Sequence, residues 1–256
     1  MRLCLLASGS KGNSLFLETD SCRLLVDAGL SARETQSRLA AIGVSSSDLD
    51  GVLITHEHTD HTSGAGALAR RLKIPLLMTG ATYRAAQHTV KKVDLIEFEP
   101  GNSFTFKGVS IDPFPVTHDA CDPCGFVVES GEGKIGFATD LGVATRLAQL
   151  KLKECRALVL EFNHDERMLQ DGPYPWHLKQ RIRSRHGHLS NAEGAALLEE
   201  LLHDGLEGVF LSHLSETNNL PELALAAATN LLSGQNVCSP EVFVGSQGVP
   251  SGVLDI

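Results

Sequence analysis

The chain has 256 residues, of which 42% are hydrophobic and 21% charged, and its formal net charge is −9. That length suits one domain with a sizeable core, and the composition excludes a disordered or fibrous chain. The acidic balance argues against a broad basic face, though not against a local positive pocket, and no apolar run approaches the roughly 20 residues of a membrane helix.

The N-terminal apolar stretch, Met1–Ala7, breaks at Ser8-Gly9-Ser10-Lys11-Gly12. It is too short for a signal-peptide core, so it reads as a strand in a protein that is not exported. Two more short strands follow at Leu15–Glu18 and Arg23–Asp27. A helix is expected over Ala32–Ile42, with Ser31 and Glu34 as a capping box and Gly43 as its stop. Strand Gly51–Thr55, a helix near Gly64–Leu72 and strand Ile74–Thr79 come next. The middle is strand-rich, at Val109–Thr117, Phe126–Ser130 and Lys134–Thr139, the last two joined by Gly131-Glu132-Gly133. Strand Ala157–Phe162, a helix within Trp176–Arg185, helix Asn191–His203, strand Gly208–Ser212, helix Pro221–Leu232 and strand Glu241–Gly245 complete the pattern. The hairpins are too many for a simple doubly wound parallel sheet; sheets packed together with helices outside fit better. With no linker or repeat in view, residues 1–256 read as a single domain. Six scattered cysteines suit reduced thiols in a cytoplasm.

Five segments share one format, an apolar strand ending in a metal-competent side chain. They end at Asp27, His56, His118, Asp140 and His213, four of them directly after Thr or Ser. Residues just past strand ends sit on a rigid rim open to solvent, where sites are commonly built. The densest is His56-Glu57-His58-Thr59-Asp60-His61. There, His56 and His58 can grip one ion while Asp60 and His61 face a neighbouring position. Imidazole and carboxylate donors together suit Zn²⁺, Mn²⁺ or Fe²⁺.

This His-x-His-x-Asp-His loop after a strand resembles the signature of the metallo-β-lactamase-fold superfamily, over nearly the whole chain. The resemblance implies an α/β fold, a four-layer αβ/βα sandwich with two metal ions at one edge. By motif position it assigns His56, His58 and His118 to the first ion, and Asp60, His61 and His213 to the second. Asp140 matches the bridging carboxylate, where many true lactamases carry cysteine, so a lactamase is disfavoured. Asp27 matches an early buried aspartate that supports the histidine loop without binding metal.

Three further segments, Ala7–Ser14, Leu160–Asp165 and Gly187–Asn191, resemble the YycJ (WalJ) type of metallo-hydrolases, a group implicated in 5′-to-3′ DNA exonuclease activity. Lys11 departs from the small residue expected there. Glu161 and His188 are similar to the pair that tRNase Z enzymes use to protonate the leaving group. The resemblance therefore implies a dinuclear phosphodiesterase or nuclease acting on DNA. A metal-bridging hydroxide would be the nucleophile, directed by Asp60, and His188 held by Glu161 would be the proton donor. A glyoxalase II-like thioester or small-ester hydrolase is the alternative, since it shares the loop and the bridging aspartate.

Other features are left open. Lys179, Arg181, Arg183 and Arg185 form a basic stretch before His188, of which only some can face substrate; reversing Arg183 and Arg185 to Glu is expected to raise KM for DNA more than for a small chromogenic phosphodiester. Tyr174 and Trp176, flanked by Pro173 and Pro175, can stack on a base or pack under their loop. Cys121 and Cys124 lack the second cysteine pair of a closed zinc site and read as a turn. His164 is open between support, phosphate contact and ligation; His88, His177, His186 and His203 read as surface residues. The oligomeric state is not encoded, and a homodimer is compatible.

Overall fold

The structure is a computed structural model describing residues Met1–Ile256. Strands β1 (Arg2–Ala7), β2 (Ser14–Glu18), β3 (Arg23–Val26), β4 (Gly51–Leu53), β5 (Leu76–Thr79) and β6 (Leu95–Phe98) lie side by side in that order. A second sheet holds β7 (Phe104–Phe106), β8 (Val109–Pro115), β9 (Cys124–Ser130), β10 (Gly133–Ala138), β11 (Ala157–Glu161), β12 (Gly208–Ser212) and β13 (Glu241–Val244). The short β14 (Leu254–Asp255) returns to pair antiparallel with β1.

Helices α1 (Ala32–Ala41), α2 (Thr59–Thr62), α3 (Ala65–Leu72) and α4 (Gly80–Ala85) belong to the first half. Helices α5 (Arg146–Leu152), α6 (Glu166–Asp171), α7 (Trp176–Ile182), α8 (Asn191–Glu200) and α9 (Pro221–Ser233) belong to the second. No helix is long and apolar enough to cross a membrane.

The strands show why the layers stack as they do. In β2, Leu15 and Leu17 face the space between the sheets, while Phe16 faces the outer core under α1 and α3. In β11, Ala157 and Val159 point inward and Leu158 and Leu160 point out under α5, α8 and α9. Strands buried on both faces need apolar residues at every position, which is why these runs do not alternate. The result is the expected four-layer sandwich, helix–sheet–sheet–helix, with three apolar cores between the layers.

Strand directions decide where the site falls. Strands β3 to β6 run parallel to one another, as do β10 to β13. Strand β8 is antiparallel to β9, and β9 to β10, so β8 runs the same way as β10. The carboxyl ends of β3, β4, β8, β10, β11 and β12 thus carry the chemically interesting residues.

Several expectations change in detail. Ser31 caps α1 by accepting from Glu34 N, but the Glu34 carboxylate pairs with Arg38 at 2.8 Å, so the box is half formed. Gly43 does close that helix, with φ +75°. The full capping box is at α8, between Ser190 and Glu193. The helix expected to run to His203 ends at Glu200.

Candidate metal centre

Every candidate from the five strand-end segments reaches one rim. Asp27, Asp140 and His213, each directly past or near a strand end, have left-handed backbone at φ +63°, +56° and +57°. Non-glycine residues adopt that region rarely, and such strain concentrates at functional sites. It turns each side chain sharply off the strand and toward the space between the sheets' edges. Gly29 serves the same loop: a Cβ there would lie 1.7 Å from the Asp60 carbonyl oxygen, so no other residue lets the two chain segments pass.

Four of the five candidate ligand imidazoles share one plan, in which one ring nitrogen is pinned and the other faces the site; His58 has no such partner. His61 Nδ1 donates to the Asp27 carboxylate at 2.7 Å. Thr55 Oγ1 donates to Asp27 at 2.9 Å, so its oxygen is left to accept from His56 Nδ1, also 2.9 Å away. His118 Nδ1 donates to Gly187 O at 3.2 Å, and His213 Nδ1 to Glu161 Oε1 at 2.8 Å. Such partners fix ring orientation and leave the opposite lone pair free for a cation.

Those free atoms gather at two neighbouring points. His56 Nε2 lies 3.0 Å from His58 Nδ1, which is 3.3 Å from His118 Nε2. His61 Nε2 lies 3.3 Å from both Asp60 Oδ2 and Asp140 Oδ2, and His213 Nε2 is 3.7 Å from Asp60 Oδ2. The atoms of the first trio, and those of Asp60, His61 and His213, all fall within 4.8 Å of one another, close enough to hold one ion each. Asp140 stands between them, 3.7 Å from His118 Nε2 on one side and 3.3 Å from His61 Nε2 on the other. Asp140 Oδ2 and His213 Nε2 are buried without a hydrogen-bond partner. An unpaired buried polar atom costs about 1–3 kcal/mol, so the donor set fits a pair of divalent cations.

The electrostatics agree with a site built around charge. Burial alone would push Asp140 up, but His213, His61 and their neighbours hold it well below the usual carboxylate range. Burial opposes the proton on His61 and His213 as well, yet Asp27 and Asp140 for the first, and Asp140, Asp60 and Glu161 for the second, raise both well above the ordinary imidazole value. Burial drives His56 the other way, well below it.

Glu161 occupies a pivotal place. Its Oε1 accepts from His188 Nδ1 and His213 Nδ1, both at 2.8 Å, and its Oε2 accepts from the backbone of Leu141 at 2.7 Å and Leu189 at 3.2 Å. It is fully buried with both oxygens engaged, and it shares a metal-competent group with Asp140, His188 and His213. His188 lines a cavity of about 320 Å³ together with His58, Asp60, His118, Asp140 and His213.

A family profile described as "Beta-lactamase superfamily domain" matches residues 22–213. Exodeoxyribonuclease YycJ of Bacillus anthracis is 35% identical over 246 residues, covering 95% of this chain and 93% of that protein. Exodeoxyribonuclease WalJ of Streptococcus pneumoniae is 41% identical over 235 residues, covering 90% and 87%. The chain belongs to the metallo-β-lactamase superfamily. It is a metal-dependent hydrolase of the YycJ/WalJ type. Among solved structures, the metallo-β-lactamase fold protein YhfI from Bacillus subtilis superimposes with a TM-score of 0.74 at 18% identity, over 99% of both chains, which bears on the fold alone.

Around this metallo-β-lactamase centre the remaining candidates sort out. Of the basic stretch, Arg181 lines the cavity and pairs with Asp119, while Lys179 donates to its own loop. Arg183 and Arg185 are exposed and do not line the cavity. Cys124 is buried, with its thiol pushed up to about 12, and Cys121 is exposed; neither joins a metal-competent cluster. His164 also stands outside those clusters; it is buried, held down to about 4 by burial, and its backbone bridges to Ser190 at the start of α8. Lys11 pairs with Glu216 at 2.7 Å on the surface.

Three participants had no role assigned from the sequence. Asn13 Nδ2 donates to Asp60 Oδ2 at 3.1 Å while its Oδ1 accepts from Gly9 N, tying the glycine loop to the aspartate. Ser8 Oγ accepts from the backbone of His213 at 2.5 Å. Asp119, next to His118, carries the partner of Arg181. Asn13 and Ser8 belong to the Ala7–Ser14 motif, whose role becomes visible only once β1 and β12 end at one rim.

Proposed function

We propose that residues 1–256 act as one metallo-hydrolase domain that binds two divalent ions, Zn²⁺ or Mn²⁺ with Fe²⁺ a further choice, and degrades DNA as a 5′-to-3′ exonuclease. The observation that carries this reading is the convergence of His56, His58, His118, Asp60, His61, His213 and Asp140 on two adjacent points, with His188 beside them, its Nδ1 3.7 Å from Asp140 Oδ1. When bound, such a pair of ions supplies a water acidified to a pKa of roughly 7 and neutralises charge on the phosphoryl oxygens.

The chain's own residues then divide the work. Asp60, held by Asn13, accepts a hydrogen bond from the attacking water and directs it toward phosphorus. His188 holds a proton on the nitrogen facing the cavity and gives it to the departing alkoxide, while Glu161 on the other side stabilises the imidazolium. Arg181 stands at the approach for the phosphate. The DNA preference rests on the relatives, both of which are named exodeoxyribonucleases; the direction is what the resemblance of the Ala7–Ser14, Leu160–Asp165 and Gly187–Asn191 segments implies. Those names, and the His188–Glu161 pair, disfavour a thioester hydrolase. The six free cysteines agree with a cytoplasmic setting.

The test is to titrate Mn²⁺ and Zn²⁺ into metal-free protein with 5′- and 3′-end-labelled DNA, and separately with a thioester. Metal-dependent loss of mononucleotides from the 5′ end is expected. Thioester cleavage with intact DNA would overturn the reading.

A further inference from the structure

The cavity over the metal centre is polar on all sides but one. Its three apolar lining residues, Tyr174, Leu178 and Ile182, come from a single arm that comprises α7 and the loop before it. A spacing of four places Leu178 and Ile182 a turn apart on one helix face, and Tyr174, in the loop before the helix, lines the same cavity. Trp176, the first residue of α7, is 64% exposed and is the chain's only tryptophan.

The arm is stiff and tied to the chemistry. Lys179 Nζ donates to the carbonyls of Gln170 and Gly172, both at 2.7 Å, and Pro173 and Pro175 restrict the loop. At its far end Ile182 O accepts from His188 N at 2.9 Å, so the apolar face and the proton donor move as one unit. Arg181, the arm's cation at the cavity, is already paired with Asp119.

Resting on the nuclease reading above, we infer that this arm is a ledge for the bases of an unpaired strand. The leaving nucleotide packs its base and sugar on Tyr174, Leu178 and Ile182 with its phosphodiester over the metal centre, and Trp176 takes the neighbouring base. An apolar ledge reads the π-face of any base, so it gives little sequence preference. A base inside a duplex has both faces covered by its neighbours, so the terminal pair of a duplex must open before its base reaches the ledge.

The experiment compares KM for 5′-labelled single strands whose terminal nucleotides are natural or abasic. In the unmodified holoenzyme, removing the bases raises KM about five-fold or more, the factor that stacking energies correspond to. In Tyr174→Ala/Trp176→Ala that penalty collapses toward one, and in Tyr174→Phe/Trp176→Phe it is retained. Independently, a hydrolysis-resistant phosphorothioate strand quenches Trp176 fluorescence and its abasic counterpart does not. Equal KM for natural and abasic strands, or a penalty that survives the double alanine change, overturns the ledge while leaving the nuclease intact. Failure of the unmodified holoenzyme to cleave any DNA overturns the nuclease reading and the ledge with it.

Discussion

Replacing Glu161 by glutamine keeps its shape and removes the one property its position requires, two oxygens that both accept. The carboxylate receives two imidazole N–H groups on one oxygen and two backbone N–H groups on the other. A glutamine amide must turn its NH₂ toward one of those pairs. Facing Leu141 and Leu189, it leaves two buried backbone donors without acceptors. Facing the histidines, it forces His213 to carry its proton on Nε2, the nitrogen offered to the metal. Either way about two charge-assisted bonds are lost, each worth about 1.5–3 kcal/mol, so Glu161→Gln should destabilise the fold by about 3–5 kcal/mol. Urea unfolding in the presence of EDTA isolates this from metal binding. Burial would push the Glu161 carboxyl up, but His188 and His213 hold it at about 2 against an ordinary 4.5. Its contribution is therefore complete above pH 4.5 and is lost as the pH falls toward 2. The gap between the two proteins should narrow over that window. A glutamine variant within about 1 kcal/mol of the parent at pH 7, with unchanged metal content, would refute the assignment of Glu161 as the shared anchor.

His188→Ala should slow hydrolysis of DNA by about 10²–10⁴-fold while preserving metal content, and should slow nitrophenyl phosphodiesters less, because their leaving groups need no proton. Equal slowing across leaving groups in steady-state assays would remove His188 from that role. Asp60→Ala should abolish turnover measured on labelled DNA. His61 and His213 hold their protons above the ordinary imidazole range, so protons compete with metal there. Metal affinity, followed by calorimetric titration, should rise with pH through and beyond the neutral range; affinity that is flat with pH would contradict this.

The chemistry was more legible in the sequence than the scaffold. Strand runs ending in Thr-His, Thr-Asp or Ser-His mark a rim because a residue just past a buried strand stands at the sheet edge, and His56, His118, Asp140 and His213 do meet there. Short edge elements escaped. Strand β7 has three residues, none of them buried, and β14 has two, too few for any period to emerge. Helices α5 and α6 begin with readable caps at Thr145 and Asp165, but at seven and six residues they are too short for a clear apolar stripe. The basic stretch is legible only in part: charge on a helix is visible in sequence, whereas which turn faces the cavity depends on how α7 is tied down by Lys179 and His188. The left-handed conformations of Asp27, Asp140 and His213, which aim the side chains, leave no sequence signature beyond residue type.

The most direct measurement counts ions on the purified chain. Metal-free protein is dialysed against excess Zn²⁺ or Mn²⁺ at neutral pH, and bound metal is determined by elemental mass spectrometry for the parent and for Asp140→Ala. Two equivalents per chain in the parent, with clear loss in Asp140→Ala, are predicted by a carboxylate standing between two three-residue sites. A fully active parent saturating at a single equivalent, or an Asp140→Ala protein that keeps two, would contradict it.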